Sequence, residues 1–302
     1  MHTWNELLSE KQNFDFEWRK TYLQALNDYT KRDVIVYYSA WQTKSGPSDL
    51  LSITQDDRTS FQAAIDSMLP DSKELDLIIH TPGGEVQATK MIVHALRSKY
   101  EHIRVIIPHT AMSAGTMIAL SADEIVLARN GNMGPTDPQL PLSTINAMVP
   151  ANEIINVIMA AQKDITVGQN IQYWMAELLR YPATLGFQAK KVIAQCSIIV
   201  QGWLRDYMFK GDPDAQKKAQ DVETYFSNAA QHLTHGSSIT YEEISSNLPN
   251  LKIKCLDDDP TLRDLVLGLF YCFDIFMMSV AQVVKICESH RMVGRVKIYN
   301  GK

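Results

Sequence analysis

Three short apolar runs alternate with helix-forming segments: Leu75-Asp-Leu-Ile-Ile-His, Ile103-Arg-Val-Ile-Ile-Pro and Glu124-Ile-Val-Leu-Ala. This alternation is the strongest constraint on the fold. Each run is short, β-branched and bounded by turn residues, as a strand buried on both faces should be. The spacers at 85–99 (Val86, Met91, Ile92 and Leu96 at helical period) and 113–122 are long enough to serve as crossover helices. Parallel strands joined by such crossovers predict an α/β sheet. A further strand is predicted at Asp33-Val-Ile-Val-Tyr-Tyr-Ser, then a polar loop at 44–58 and a helix at 59–69 closed by Pro70.

Beyond 150 the period is helical at 151–164, 168–180, 187–210, 214–231 and 261–290, interrupted at His235-Gly-Ser-Ser-Ile-Thr and over 248–260. Residues 5–31 place Leu7, Phe14, Trp18, Tyr22, Leu23 and Leu26 at helical spacing. The expected organisation is an N-terminal helical arm over 1–32 and a single domain over 33–302 that becomes mainly helical from about 165.

The 302 residues include 45% hydrophobic and 21% charged side chains, enough apolar material for a folded core throughout. A net charge of −5 leaves no basic field to gather phosphates, so nucleic acid is excluded as a partner. Cys196, Cys255, Cys272 and Cys287 form no C-x-x-C pair and have no histidine at metal-ligand spacing. They read as free thiols in a reducing compartment, with no metal site. The polar N-terminus has no secretory leader, and the apolar run 265–284 carries Asp274 in its middle. A cytoplasmic protein without stable membrane insertion is expected, with 265–284 as a buried or subunit-facing helix.

Chemistry concentrates in two strand-to-helix turns. In Thr110-Ala-Met-Ser-Ala-Gly-Thr, Ser113 sits between a strand and the helix it opens, where the helix amides and dipole face its hydroxyl. That suits a nucleophile whose adduct is an oxyanion, although serine also serves there as a plain cap. In Thr81-Pro-Gly-Gly-Glu, the paired glycines let the backbone turn sharply and approach a ligand. An amide of Gly83 or Gly84, joined by that of Ala114, would supply the two donors of an oxyanion hole. Paired glycines alone also make ordinary turns. An extended peptide is expected to lie main chain to main chain along Gly84–Gln87.

The run Leu77-Ile-Ile-His-Thr-Pro-Gly-Gly, followed by Pro108-His-Thr-Ala-Met-Ser-Ala-Gly-Thr, Asp123-Glu-Ile-Val and Gly134-Pro-Thr-Asp-Pro-Gln, resembles the bacterial serine dehydrogenase proteinase family. That family is related to Clp peptidase and signal peptide peptidase A. His235-Gly, Ile239-Thr-Tyr-Glu-Glu and Asp259-Pro-Thr-Leu-Arg-Asp-Leu-Val extend the resemblance over roughly 33–285. It implies the Clp peptidase/crotonase-like fold of stacked β-β-α units, a Ser113 nucleophile, oxyanion donors at Gly83 and Ala114, a peptide or protein substrate, homo-oligomers and no cofactor.

The general base is open. The Clp histidine position falls near Thr136-Asp137, and no histidine lies between His109 and His232. The signal peptide peptidase branch uses a lysine, and Lys163 is the one lysine between Lys99 and Lys190. A neutral lysine can take a serine proton, so a Ser113–Lys163 dyad is the first expectation, against a solvated helical lysine. His235 is the rival base and Asp137 a candidate orienting group, although each residue also suits a turn. His80 and His109 are expected to make structural hydrogen bonds. A catalytically silent binding or scaffold protein and a crotonase-type acyl-coenzyme A enzyme remain the alternatives to a serine endopeptidase.

Overall fold

The computed structural model describes residues 17–142, 144, 146–228 and 234–299. Helix α1 (Glu17–Thr30) leads into β1 (Asp33–Ser39), followed by α2 (Gln55–Asp66), β2 (Glu74–His80), α3 (Val86–Lys99) and β3 (His102–Ile107). Next come β4 (Thr110–Ala111), α4 (Ala114–Leu120), β5 (Glu124–Leu127), β6 (Asn132–Met133) and a hairpin of β7 (Gln139–Leu142) and β8 (Ala147–Pro150). Helices α5 (Ala151–Thr166), α6 (Ile171–Leu178), α7 (Leu185–Trp203) and α8 (Ala215–Ser227) form the helical region. The chain then adds β9 (Ile239–Thr240), α9 (Tyr241–Asn247), β10 (Ile253–Cys255), α10 (Pro260–Ser279), β11 (Val283–Ser289) and β12 (Met292–Ile298).

The main sheet has the order β10-β5-β3-β2-β1-β11-β12. Its first five strands are parallel, and β11 and β12 close one side in antiparallel pairing. Side chains alternate across it, so Ile35 and Tyr37 of β1 enter one core with Phe61 and Ile92. Val34, Val36 and Tyr38 enter another with Leu23, Leu26, Val266 and Phe273. Burial on both faces explains why these strands read as unbroken apolar runs. Each fully buried aliphatic or aromatic side chain contributes roughly 1.5–3 kcal/mol. A satellite cluster of Leu142, Ala151, Ile154, Leu185 and Ala189 joins the hairpin to α5 and α7.

Helix α1 packs on α10 and covers the second face of the sheet. The described part of the N-terminal segment is therefore part of the core cover, while residues 1–16 of the expected arm lie outside the described residues. The end of the helix expected over 214–231 does so too, beyond residue 228. Helix α10 buries Cys272, Phe273, Ile275 and Met277 within the chain's own core and leaves Met278 exposed. Asp274 accepts a hydrogen bond from the Tyr38 hydroxyl at 2.9 Å, which accounts for a carboxylate in that apolar run. Among the described residues no helix is long and apolar enough to cross a membrane. All four cysteines are free and buried, and burial pushes the Cys196 and Cys272 thiols up to about 12.

Two boundaries depart from expectation. Helix α2 starts at Gln55 rather than 59, because Thr54 and Asp57 form a reciprocal capping box. The helical pattern expected over 261–290 ends at Ser279, and Val283–Ser289 forms β11, paired with β1. A short apolar run does not reveal by period whether it is strand or helix; its seven positions are buried because α2 covers one face of the strand and the α1–α10 layer the other.

His80, at the end of β2, is buried against Tyr38 and Phe270, with ring centroids 4.8 and 5.3 Å away. Desolvation, helped by neighbouring His109, lowers its pKa to about 3 from an ordinary 6.5. Between those values the unfolded chain binds the proton and the folded chain does not, so this residue lowers stability as pH falls, by up to about 1.4 kcal/mol per pH unit. Urea unfolding of His80→Gln between pH 7 and 4 should show a shallower loss of stability than the parent; parallel slopes would refute this assignment.

Candidate active site

The cleft lies beyond the carboxyl ends of the parallel strands, where α/β sheets place their ligands. It encloses about 690 Å³ and is lined by Ser113, Gly84, Gln87, Thr136, Met148 and His235 among others. Strand β2 ends in Thr81-Pro-Gly-Gly, and β3 passes through Pro108 and His109 into β4. Those two turns are stitched together: the Thr81 amide donates to Thr110 O at 3.1 Å, and the Met112 amide donates to Thr81 O at 3.0 Å.

Ser113 caps α4 with φ 49° and ψ −112°, a conformation that costs a non-glycine residue of order 1–3 kcal/mol. A strained serine at a strand-to-helix turn projects its hydroxyl away from both elements. Gly83, at φ 98°, packs on this elbow so closely that a Cβ would stand 2.7 Å from Met112 O and 2.9 Å from the Ala114 nitrogen. Gly84 lies against Ile53, where a Cβ would meet the Ile53 carbonyl oxygen at 2.2 Å.

The Ile53 amide donates to Gly83 O at 2.7 Å, and the Glu85 amide donates to Ile53 O at 2.9 Å. The chain's own backbone thus occupies part of the Gly84–Gln87 edge expected to receive a peptide. The Gly83 amide donates to Thr81 Oγ1 at 3.2 Å. Because a trans peptide points its C=O and N–H in opposite directions, the bond from Ile53 to Gly83 O turns the Gly84 amide away from Ile53. The Ala114 amide opens α4 and has no carbonyl to bond within the helix.

A second, three-stranded sheet, β4-β6-β9, assembles the polar groups. Strand β4 pairs in parallel with β6, and β6 pairs antiparallel with β9 through Asn132–Thr240 and Met133–Ile239. Asp137 lies four residues after Met133, and His235 four residues before Ile239. The antiparallel register, continued past the paired strands, sets them opposite each other. His235 Nδ1 stands 2.8 Å from Asp137 Oδ1; the carboxylate side chain is 1% exposed and the imidazole 24%. The second oxygen of Asp137 is buried without a hydrogen-bond partner among the described residues.

Lys163 is exposed on α5 and is not among the residues lining the cleft. The dyad expected between Ser113 and Lys163 is therefore not brought together, because the helical region turns that face of α5 to solvent. Ser113 and His235 instead share one cleft, with Asp137 behind the histidine. His109 Nδ1 contacts Thr110 Oγ1 at 2.7 Å, and its ring stacks on Phe270, as suits a structural histidine.

Sequence reasoning passed over Thr116. Its buried hydroxyl lies 2.8 Å from Ala111 O and 2.9 Å from Gly134 O, and it accepts from the Gly134 amide at 3.0 Å. It thereby ties the Ser113 turn to the segment that carries Asp137. No periodic signal marks such a residue, although a threonine three positions after the serine could have been tested as a tie. Thr116→Val leaves these backbone groups unpaired and should cost about 1–3 kcal/mol by urea unfolding, with Thr116→Ser recovering most of it; equal stability of the valine variant would contradict the tie.

Residues 50–255 match the family described as ClpP-like SDH-type serine proteinase. Two uncharacterized proteins of Methanocaldococcus jannaschii are similar in sequence. One is 35% identical over 174 residues, covering 58% of this chain and 52% of the relative. The other is 48% identical over 88 residues, 29% of this chain and 30% of the relative. The chain thus spans about half the length of the first curated relative and less of the second. Among solved structures, a mutant of the 1510-N membrane-bound stomatin-specific protease is 16% identical with a TM-score of 0.39, over 67% of this chain and 74% of that one. A mutant of ClpP1 from Listeria monocytogenes is 13% identical with a TM-score of 0.39, over 79% and 98%. With well over half its length matched, the cleft's serine included, the chain belongs to the ClpP-like SDH-type serine proteinase family.

Proposed function

We propose that the chain is a serine endopeptidase that works through an acyl-enzyme at Ser113, with His235 as general base and Asp137 as its orienting carboxylate. The observation that carries this reading is the 2.8 Å contact between His235 Nδ1 and Asp137, with His235 lining the cleft that Ser113 opens into. A carboxylate at Nδ1 favours the tautomer whose proton sits there, which leaves Nε2 as the basic nitrogen. In the first step Ser113 Oγ attacks the scissile carbonyl and its proton passes to Nε2. The amides of Gly84 and Ala114 hold the oxyanion that develops. The imidazolium returns the proton to the leaving amine, and water attacks the acyl-enzyme by the same route in reverse. Every step uses groups of the chain and water.

The chain order of the three groups, serine then aspartate then histidine, differs from that of Clp peptidase, but such constellations are defined by geometry rather than order. A buried aspartate behind a partly exposed histidine also favours a working enzyme over a silent scaffold or an acyl-coenzyme A enzyme, since neither needs that pair. Self-association belongs to the same proposal.

Ser113→Ala should abolish both fluorophosphonate labelling and peptide hydrolysis while the far-ultraviolet circular dichroism stays unchanged. His235→Ala should lower kcat by about 10⁴-fold, and Asp137→Asn by about 10³- to 10⁴-fold. Lys163→Ala should keep activity within about twofold, as expected of an exposed side chain outside the constellation. An inactive Lys163→Ala beside an active His235→Ala would reverse the assignment of the base.

A further inference from the structure

The backbone that orients the Gly84 amide is itself held by a buried charge cluster remote from the nucleophile in sequence. Lys285 projects from β11 and is 2% exposed. Its ammonium donates to Ser52 O at 2.6 Å and to Asp57 Oδ2 at 2.8 Å. The same Asp57 oxygen accepts from the Thr54 amide at 2.8 Å. Buried Ser39 adds a bond to Leu51 O at 2.7 Å. Together these contacts anchor residues 51, 52 and 54, on both sides of Ile53.

Ile53 in turn bonds Gly83 O and the Glu85 amide, and the first of these bonds sets the direction of the Gly83–Gly84 peptide. We propose that Lys285, acting with Asp57, is a positioning residue for the oxyanion-binding amide of Gly84. This inference rests on the reading of Ser113 as nucleophile and of Gly84 as an oxyanion donor. Burying an ammonium and a carboxylate is costly, and apolar residues of similar volume would hold the core as well. What they would not supply is a donor for Ser52 O, the group on the residue next to Ile53. An oxyanion donor acts only when aimed at the position the oxyanion will take, so a loosened Ile53 should weaken transition-state binding more than substrate binding.

The test is the double variant Lys285→Met/Asp57→Asn. It leaves no unpaired buried charge, and the asparagine can still accept from the Thr54 amide. Expected are a melting temperature within a few degrees of the parent, KM within about threefold, and kcat lower by about 10- to 100-fold. Affinity for a peptide boronate, whose serine adduct is tetrahedral, should fall by a similar factor, and the Ile53 amide should exchange with deuterium at least about tenfold faster. Should the double variant unfold, Lys285→Leu/Asp57→Asn, which likewise removes the donor to Ser52 O without leaving a buried charge unpaired, is measured in its place by the same criteria. A folded variant with kcat, boronate affinity and Ile53 exchange all within twofold of the parent overturns the proposal alone. Absence of Ser113 labelling in the parent by fluorophosphonate overturns the reading of the nucleophile and the proposal with it.

Discussion

The pairing of β4, β6 and β9, each only two residues long, is the constraint on which the candidate site depends. Ser113 lies two residues after β4, Asp137 four after β6 and His235 four before β9. A slip of one residue in the β6–β9 register would move His235 away from Asp137 and flip the alternation of side chains. Such short strands cannot hold their register alone. Here it is supported by the Thr116 hydroxyl, which bridges Ala111 and Gly134, and by the Thr136 amide, which donates to Phe226 O at 2.9 Å.

The main sheet supplies the rigid frame for this small one. Its strands are buried on both faces, so their carboxyl ends form a fixed edge from which the Thr81–Gly84 and Thr110–Ser113 turns emerge side by side. The strain at Ser113 is compatible with that frame because Gly83 packs on the elbow and α4 is buried along its whole length. Preorganisation of this kind places the cost of aiming the hydroxyl in folding.

Three further ion pairs, two of them sharing Asp76, bury charge against the main sheet. Arg19 of α1 pairs with Glu288 of β11 at 2.8 Å, both almost fully buried, with the guanidinium over the Phe276 ring. Asp76 of β2 meets Arg32 and Arg104 at 2.8 and 2.7 Å. Pairs such as these contribute little net stability, but they reject registers in which either charge would be left alone. The Lys285–Asp57 pair differs in what it touches, because its other partner is the backbone beside Ile53.

Local pattern determined the parallel strands β1, β2, β3 and β5, the helices between them, and the two turns that present Ser113 and the paired glycines. Each of these is a property of a few adjacent residues: β-branched runs, helical spacing, and glycine where φ must be positive. The histidine that faces Asp137 was not legible in that way. Lys163 and His235 both came forward through the resemblance, and the helix that carries Lys163 turns it to solvent. Strand β11, which carries Lys285, was hidden in an apolar stretch that reads equally as helix. Which histidine faces which aspartate, and which lysine is buried, depends on pairing between segments roughly a hundred or more residues apart, and no local period encodes such pairing. Tertiary structure decided these because only the folded chain brings β6 to β9 in the small sheet and β11 of the main sheet to the residues beside Ile53.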